Sequence, residues 1–203
     1  MPLETSPDDV KALVEILLRR SLRFGNFTLA SGATSPFYVD VRRTSLDSGG
    51  ARLIGRLVCD AYAQDLASGR IGAIGGLTLG ADPIVVAALL EASQRGHALD
   101  AFLVRKAAKE HGTQNRIEGN LEPGTRALVV EDVCTSGASA LEAARAARAA
   151  GAIVEQAWCV VDRDAGGRAA LAAEGITLTA ALDLVTLLDA APEGRALRSR
   201  GAP

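Results

Sequence analysis

The chain has 203 residues, of which 48% are hydrophobic and 21 are glycine. This composition is typical of a compact α/β protein and excludes a disordered chain. Lysine and arginine together number 22 against 24 acidic residues, and aromatic residues make up only 3%. A chain with no basic field and few side chains for stacking is not expected to bind nucleic acid.

The three cysteines, Cys59, Cys134 and Cys159, are odd in number and far apart. Their spacing indicates neither a disulfide framework nor a zinc site, and it is typical of a reducing compartment. The first residues lack the basic region and apolar core of a signal peptide, and the apolar runs are too short to span a bilayer. We therefore expect a cytoplasmic protein without a membrane partner.

The chain starts with a predicted helix and two predicted strands. Ser6 as N-cap, Pro7 at the first helical position and an acidic first turn predict a helix to about Ser21. Residues 24–32 and 35–43 are two strand-like runs around a glycine turn, and they hold four of the six phenylalanine and tyrosine residues. Such a pair could be a hydrophobic cover over the core or a lid that presents aromatic faces to a planar ring.

Strands and helices then alternate along the chain. Apolar runs predict strands at 71–76, 101–104, 127–133, 153–161 and 176–184, and helical spacing or composition predicts helices at 49–67, 83–94 and 140–150. The loop 77–82 is not a Walker A loop, because Ala81 and Asp82 stand where lysine and a hydroxyl residue are required. Its backbone N–H groups could still bind pyrophosphate.

A cation-rich loop follows the strand 101–104. Arg105, Lys106, Lys109 and His111 place four potential cations within seven residues of a nearly neutral chain. The segment 105–119 could be an ordinary solvated loop, or a mobile loop that closes over a polyanion.

The run 127–139 carries the clearest chemical signal. A buried strand ends in the adjacent acids Glu131 and Asp132, and a turn rich in hydroxyls and glycine at 135–139 leads into a helix. Free N–H groups at a helix N-terminus, together with hydroxyls, can hold a phosphate, whereas the acids would face sugar hydroxyls or a metal ion. The alternative is a buried strand that ends in a solvated acidic turn. Arg163 follows the strand 153–161, and it could form an ordinary surface pair with a neighbouring aspartate.

Three of these segments together resemble one protein family. The run 127–139 is similar to the phosphoribosyl pyrophosphate (PRPP) signature of type I phosphoribosyltransferases. The segment Phe27-Thr-Leu-x-Ser-Gly32 with Ser35-Pro-Phe-Tyr-Val-Asp40, and the loop Arg-Lys-x-x-Lys-x-His-Gly from Arg105, resemble the orotate phosphoribosyltransferase family. The resemblance covers nearly the whole chain.

The resemblance implies a fold and a reaction. The fold is α/β, with a central, mostly parallel twisted sheet flanked by helices, in a single domain 1–203 with an N-terminal hood at about 1–45 and a mobile catalytic loop at about 105–119. The reaction transfers the phosphoribosyl group from PRPP to orotate, giving orotidine 5′-monophosphate and pyrophosphate for pyrimidine synthesis. Mg²⁺ is the implied cofactor, held mainly through PRPP with no direct protein ligand, and the loop would serve a neighbouring subunit of a homodimer.

The resemblance also assigns residues. The implied catalytic residues are Lys109, His111 and Arg105. PRPP would contact Arg105, Lys106, Lys109, His111, Glu131, Asp132, Val133, Cys134, Thr135, Ser136, Gly137, Ala138 and Ser139. Orotate would contact Phe37, Tyr38, Thr135 and Arg163.

The chain departs from the family pattern at two positions. Ala30 and Gly80 stand where many relatives carry lysine.

Two rival functions are a purine phosphoribosyltransferase, which should lack the Phe37-Tyr38 hood and Arg163, and a non-catalytic regulator that senses PRPP. The intact cationic loop and the lack of a DNA-binding segment argue against the regulator.

Overall fold

The computed structural model describes residues 6–28, 32, 34–106 and 116–199. The helices in these ranges are α1 Pro7–Arg20, α2 Arg42–Ser45, α3 Ser48–Ala61, α4 Ala63–Ala67, α5 Asp82–Gln94, α6 Ala138–Ala149, α7 Gly167–Ala173, α8 Leu184–Asp189 and α9 Pro192–Ser199. The strands are β1 Leu22–Thr28, β2 Thr34–Val39, β3 Ala73–Leu77, β4 Asp100–Val104, β5 Ile117–Gly119, β6 Arg126–Cys134, β7 Ile153–Asp162 and β8 Thr177–Asp183.

The larger sheet within the described residues has six strands in the order β5-β4-β3-β6-β7-β8. All neighbouring pairs are parallel except β4 and β5, which are antiparallel. The predicted α/β fold with a mostly parallel sheet flanked by helices is therefore confirmed. Strands β3 and β6 are neighbours, and the chain continues from β3 to β4 on one side and from β6 to β7 on the other. The carboxyl ends of β3 and β6 therefore flank the crevice in which such sheets bind ligands.

Alternating side chains of the sheet form two apolar layers. Leu128 and Val130 of β6 belong to a cluster that includes α1, α3 and α5, whereas Ala127 and Val129 face a cluster that includes α6 and α7. Four alanines of α6 are buried in the second cluster: Ala140, Ala143, Ala144 and Ala147. Small side chains on this helix allow it to approach the sheet closely, which fixes the position of its N-terminus at the crevice.

The hood is a two-stranded antiparallel sheet of β1 and β2 with an irregular register between Phe24 and Phe27. The rings of Phe27 and Tyr38 lie with their centroids 5.7 Å apart. Leu22 and Phe37 belong to the same apolar cluster as one face of the large sheet. The hood is thus packed onto the core through alternate residues of its strands.

Some boundaries differ from the sequence predictions. The helix predicted at 49–67 is two helices, α3 and α4, which meet at Tyr62, and the Tyr62 hydroxyl donates to the carbonyl of Ala157 at 3.1 Å. The side chain of Asp47 caps α3, accepting hydrogen bonds from Gly49 and Gly50. Strand β5 and helix α9 were not predicted, because three residues are too few to show a period and the C-terminal segment is rich in alanine, arginine and glycine.

The structure contains no membrane-crossing helix in the residues that it describes, since none of its helices is both long and apolar enough.

Candidate functional site

A cavity of about 480 Å³ lies at the carboxyl ends of β3 and β6. Its wall is built from the end of β2 and the start of α2, the loop after β3, the acidic end of β6 with the following turn, and single residues after β4 and β7. The chain therefore brings segments predicted separately from the sequence to one edge of the sheet. The edge is the one at which α/β sheets bind ligands.

Glu131 and Asp132 both line this cavity. Burial raises the pKa of Glu131 to about 7; the charge of Asp132 adds to this effect, and a hydrogen bond from Ser139 opposes it. Burial also raises the pKa of Asp132, although its Oδ1 accepts a hydrogen bond from the N–H of Val133 at 2.9 Å. Within the described residues, Glu131 Oε2 is buried without a hydrogen-bond partner. Such an oxygen is suited to receive a ligand hydroxyl or to face a cation.

The turn between β6 and α6 brings hydroxyls and a helix N-terminus to the same cavity. Thr135 and Ser139 line it, and α6 begins at Ala138. Gly137 has φ of 77°, in the left-handed region, where a residue with Cβ is strained. The first N–H groups of α6 have no partner within the helix, so an anion at this end would receive hydrogen bonds and a favourable dipole.

Gly167 of α7 lies directly against this turn. An ideal Cβ on Gly167 would be 2.5 Å from Cys134 Sγ and 2.9 Å from the carbonyl oxygen of Thr135. All three cysteines lie in the described ranges and are free and buried, and Cys134 has no exposed surface. Cys134 therefore packs beneath the turn, and its side chain does not line the cavity.

Of the residues predicted to contact a planar ring, one lines the cavity and the other is buried behind it. Tyr38 is 42% exposed and lines the wall, whereas Phe37 is 4% exposed and belongs to the core cluster. The guanidinium of Arg163, which also lines the cavity, lies 5.8 Å from the centroid of the Phe37 ring. The structure thus places Tyr38 on the wall and Phe37 behind it, in contact with Arg163 through a cation–π interaction.

The segment that carries Arg163 is fixed at both sides. The backbone N–H of Arg163 donates to the carbonyl of Cys134 at 2.9 Å. The preceding Asp162 is 1% exposed, and its carboxylate accepts hydrogen bonds from Arg168 at 2.6 Å and from the N–H of Asp164 at 2.9 Å. These contacts fix the backbone that carries the Arg163 side chain at the cavity wall. Asp162 thus pairs with Arg168 and not with the adjacent Arg163.

The cationic loop is only partly described. Lys106 lines the cavity. Arg105 does not, and its guanidinium donates to Glu118 at 3.4 Å. Lys109 and His111 lie outside the described residues, as does Ala30. Their sequence-based roles therefore stay predictions.

Not every predicted PRPP contact lines the cavity. Val133, Thr135 and Ser139 do, whereas Ser136, Gly137 and Ala138 do not. Several lining residues were not among the predicted site residues. The basic one is Arg42 at the start of α2, which lies two positions after the hood motif and belongs to no motif of its own. The loop after β3 also lines the cavity, with Thr78, Leu79 and Gly80.

The predicted Mg²⁺ can be compared with the oxygen atoms that the cavity residues supply. In the described part of the chain, no group of three or more histidine, cysteine, aspartate or glutamate residues is arranged to hold a metal. The buried, unpartnered Glu131 Oε2 and the neighbouring Asp132 nevertheless supply oxygen atoms of the kind that Mg²⁺ prefers. The site therefore fits an ion held mainly by ligand oxygens, with these acids beside it.

Comparisons with known proteins agree on one family. A scan against protein-family models finds no match for the chain. The chain is 48% identical over 160 residues to an orotate phosphoribosyltransferase of Streptomyces avermitilis, and the alignment covers 78% of this chain and 86% of the relative. It is also similar to two crystal structures of the Mycobacterium tuberculosis orotate phosphoribosyltransferase.

The first of these structures, a complex with Fe(III) dicitrate, has a TM-score of 0.78 at 42% identity and covers 89% of this chain and 99% of its own. The second, a complex with PRPP, has a TM-score of 0.74 at 39% identity with the same coverage. Identity at this level extends over most of this chain and of each relative. The chain therefore belongs to the orotate phosphoribosyltransferase family.

Proposed function

We propose that this chain transfers the 5-phosphoribosyl group from PRPP to orotate, forming orotidine 5′-monophosphate and pyrophosphate in pyrimidine (UMP) synthesis. One observation carries the proposal: a helix N-terminus with hydroxyls, two desolvated acids and an oriented arginine line the same cavity. This set matches the three parts of the reaction, which are a phosphate, a sugar diol and a carboxylate on a planar ring.

The turn 135–139 would bind the 5′-phosphate. Thr135 and Ser139 offer hydroxyls from the cavity wall, and the backbone N–H groups at the start of α6 would complete the contacts. Residues 133, 134 and 136–138 would act here through their backbone. Glu131 and Asp132 would accept hydrogen bonds from the ribose hydroxyls, which compensates for the burial of both carboxylates.

The orotate ring would lie between the sugar and the hood. Tyr38 offers an aromatic face at the wall, and Arg163 presents a guanidinium whose planar fork matches a carboxylate. Phe37 would support Arg163 from behind, and the Thr135 hydroxyl lies on the same wall. A ring held in this way has its reacting nitrogen beside the sugar C1, so transfer becomes effectively unimolecular.

Departure of pyrophosphate leaves positive charge on the sugar and negative charge on the leaving group. Mg²⁺, when bound through PRPP oxygens, supplies positive charge at the leaving group. By the family resemblance, Arg105, Lys106 and Lys109 would add their charges, and Lys109 or His111 would donate a proton to the departing pyrophosphate. Loop closure would exclude water, which would otherwise hydrolyse the sugar.

The chain is also proposed to act as a cytoplasmic homodimer, each subunit a single domain 1–203 with its hood at 1–45 and its mobile loop at 105–119. In the family pattern that loop serves the neighbouring active site. Val86 and Leu90, one turn apart on α5, are 55% and 61% exposed, and Leu79 in the cavity loop is 70% exposed. Large apolar side chains in such positions favour contact with a second subunit beside the cavity. The three buried free thiols suit a reducing cytoplasm.

Pyrophosphate release from purified protein tests the proposal. Release should require both orotate and Mg²⁺ together with PRPP. Activity with hypoxanthine instead of orotate would support a purine phosphoribosyltransferase. PRPP binding without any release would support a regulator.

A further inference from the structure

Arg42 is a basic residue of the cavity to which no role has yet been given. It is the first residue of α2, and its side chain is 46% exposed. Among the described residues, three basic side chains line the cavity, namely Arg42, Lys106 and Arg163. Arg163 lies against Phe37 of the hood and is assigned to the orotate carboxylate. Arg42 is therefore available for another part of the ligands.

One edge of the Arg42 guanidinium is already held. Its Nε donates to Asp40 Oδ1 at 2.9 Å, and Asp40 also lines the cavity. Within the described residues this is the side-chain hydrogen bond of Arg42, so the two terminal nitrogens keep four N–H donors for a ligand. A guanidinium anchored through Nε is oriented in advance, and it presents a fork that matches two phosphate oxygens.

Arg42 and the loop after β3 both lie near Asp132 in the cavity wall. The negative charges of Asp40 and Asp132 both raise the pKa of Arg42, after the hydrogen bond to Asp40. Asp132 Oδ1 in turn lies 2.6 Å from the position that a Cβ on Gly80 would take. The loop 78–80 is therefore in direct contact with the Asp132 carboxylate, whose charge also acts on Arg42, and all of them line the same cavity.

This part of the cavity needs a fixed positive charge if it holds a diphosphate. Three carboxylates line the cavity, from Asp40, Glu131 and Asp132. A diphosphate would add further negative charge, and uncompensated like charges at close range are costly. The loop 78–80 offers backbone N–H groups and no cationic side chain.

We propose that Arg42, held by Asp40, binds the pyrophosphate group of PRPP beside the loop 78–80. The inference rests on the proposed function, because it assigns a residue to one part of that substrate. It also explains how the chain compensates for a glycine at position 80: the positive charge comes from α2 and not from the loop.

The test compares two ligands on one set of variants. Binding of Mg²⁺-pyrophosphate and of ribose 5-phosphate is measured by calorimetry on the full chain and on Arg42→Gln, Arg42→Lys and Arg43→Gln. Arg43 is the adjacent exposed arginine of α2 and does not line the cavity, so Arg43→Gln is the matched control. Ribose 5-phosphate reports on the turn 135–139, and pyrophosphate reports on the proposed contact.

Arg42→Gln should weaken pyrophosphate binding about tenfold or more and change ribose 5-phosphate binding less than twofold. Arg42→Lys should lose less, because it keeps the charge and loses the fork. Arg43→Gln should change neither affinity. Equal losses for both ligands in Arg42→Gln and Arg42→Lys, or unchanged pyrophosphate binding in both, would overturn the inference.

The inference and the proposed function fail in different ways. If the wild-type chain releases no pyrophosphate from PRPP with orotate, but Arg42→Gln selectively loses pyrophosphate binding, the Arg42 assignment stands and the reaction is wrong. If the wild-type chain is active and Arg42→Gln retains its pyrophosphate and PRPP affinities, the reaction stands and the Arg42 assignment is wrong.

Discussion

The carboxylate of Asp132 occupies the space into which a side chain at Gly80 would project. An ideal Cβ on Gly80 would lie 2.6 Å from Asp132 Oδ1 and 2.9 Å from its Cγ, closer than such atoms approach. The glycine thus allows the loop after β3 to approach the acidic end of β6. Any side chain at position 80 must displace Asp132 or move the loop.

Gly80→Lys should therefore impair the chain, although many relatives have lysine at this position. We expect kcat/KM for PRPP to fall about tenfold or more, because the displaced Asp132 no longer faces the sugar. Gly80→Ala is the matched comparison, since it adds a Cβ against Asp132 without adding a charge and should show a similar fall if the contact is the cause. An increase in kcat/KM for Gly80→Lys would contradict the steric argument.

Arg163 should determine the affinity for orotate. Replacement by alanine removes a charge-assisted pair with the carboxylate, and we expect KM for orotate to rise roughly 10- to 100-fold with little change in KM for PRPP. Arg163→Lys should recover only part of the loss, because an ammonium group lacks the planar fork. Arg19→Ala, at an exposed position of α1, controls for loss of a positive charge. Full activity of Arg163→Lys would show that the fork is not used.

The stability of the unliganded chain should depend on pH through Glu131. The native pKa is raised to about 7 from an ordinary value of 4.5. Below about pH 4.5 both the folded and the unfolded chain hold the proton. Between these values the folded chain binds more protons than the unfolded chain, so rising pH lowers stability until the loss is complete above about pH 7.

Glu131→Gln removes this titration and should separate it from other pH effects. The Tm of the variant should exceed that of the wild type by roughly 10 °C near pH 8 and by much less near pH 5. Glu15→Gln on the exposed face of α1 should show no such trend. A Tm difference that is the same at both pH values would show that burial of Glu131 does not penalise its charge.

Lys109 is the predicted catalytic residue of the cationic loop. Lys109→Ala should lower kcat by a factor on the order of 10² or more, since it removes a charge contact to the leaving group in the transition state. Binding of orotate should change little. Lys11→Ala on α1 gives the control, and an unchanged kcat for Lys109→Ala would remove the loop from the mechanism.

The sequence predicted the elements that have a strong local signal. Pro7 with an acidic first turn correctly placed the start of α1, and the apolar run before Glu131 correctly placed β6. The local sequence could not predict which face of β2 is buried. Phe37 and Tyr38 are adjacent in a strand, so their side chains point to opposite faces. Only the packing of β2 on the core decides that Phe37 is the buried one. The position of Arg42 likewise depends on how α2 docks beside the loop after β3, which is a tertiary contact without a local pattern.

The absence of a side chain at Gly167 lets the backbone of α7 touch the turn 135–139 directly. The backbone of α7 rests on the turn that would bind phosphate, and the segment bearing Arg163 leads directly into that helix. Because no side chain lies between α7 and the turn, the turn 135–139 and the segment that carries Arg163 are expected to move together. If a sugar phosphate at the turn changes the affinity of the other part for orotate, thermodynamic reciprocity requires that orotate change the affinity for the sugar phosphate by the same factor.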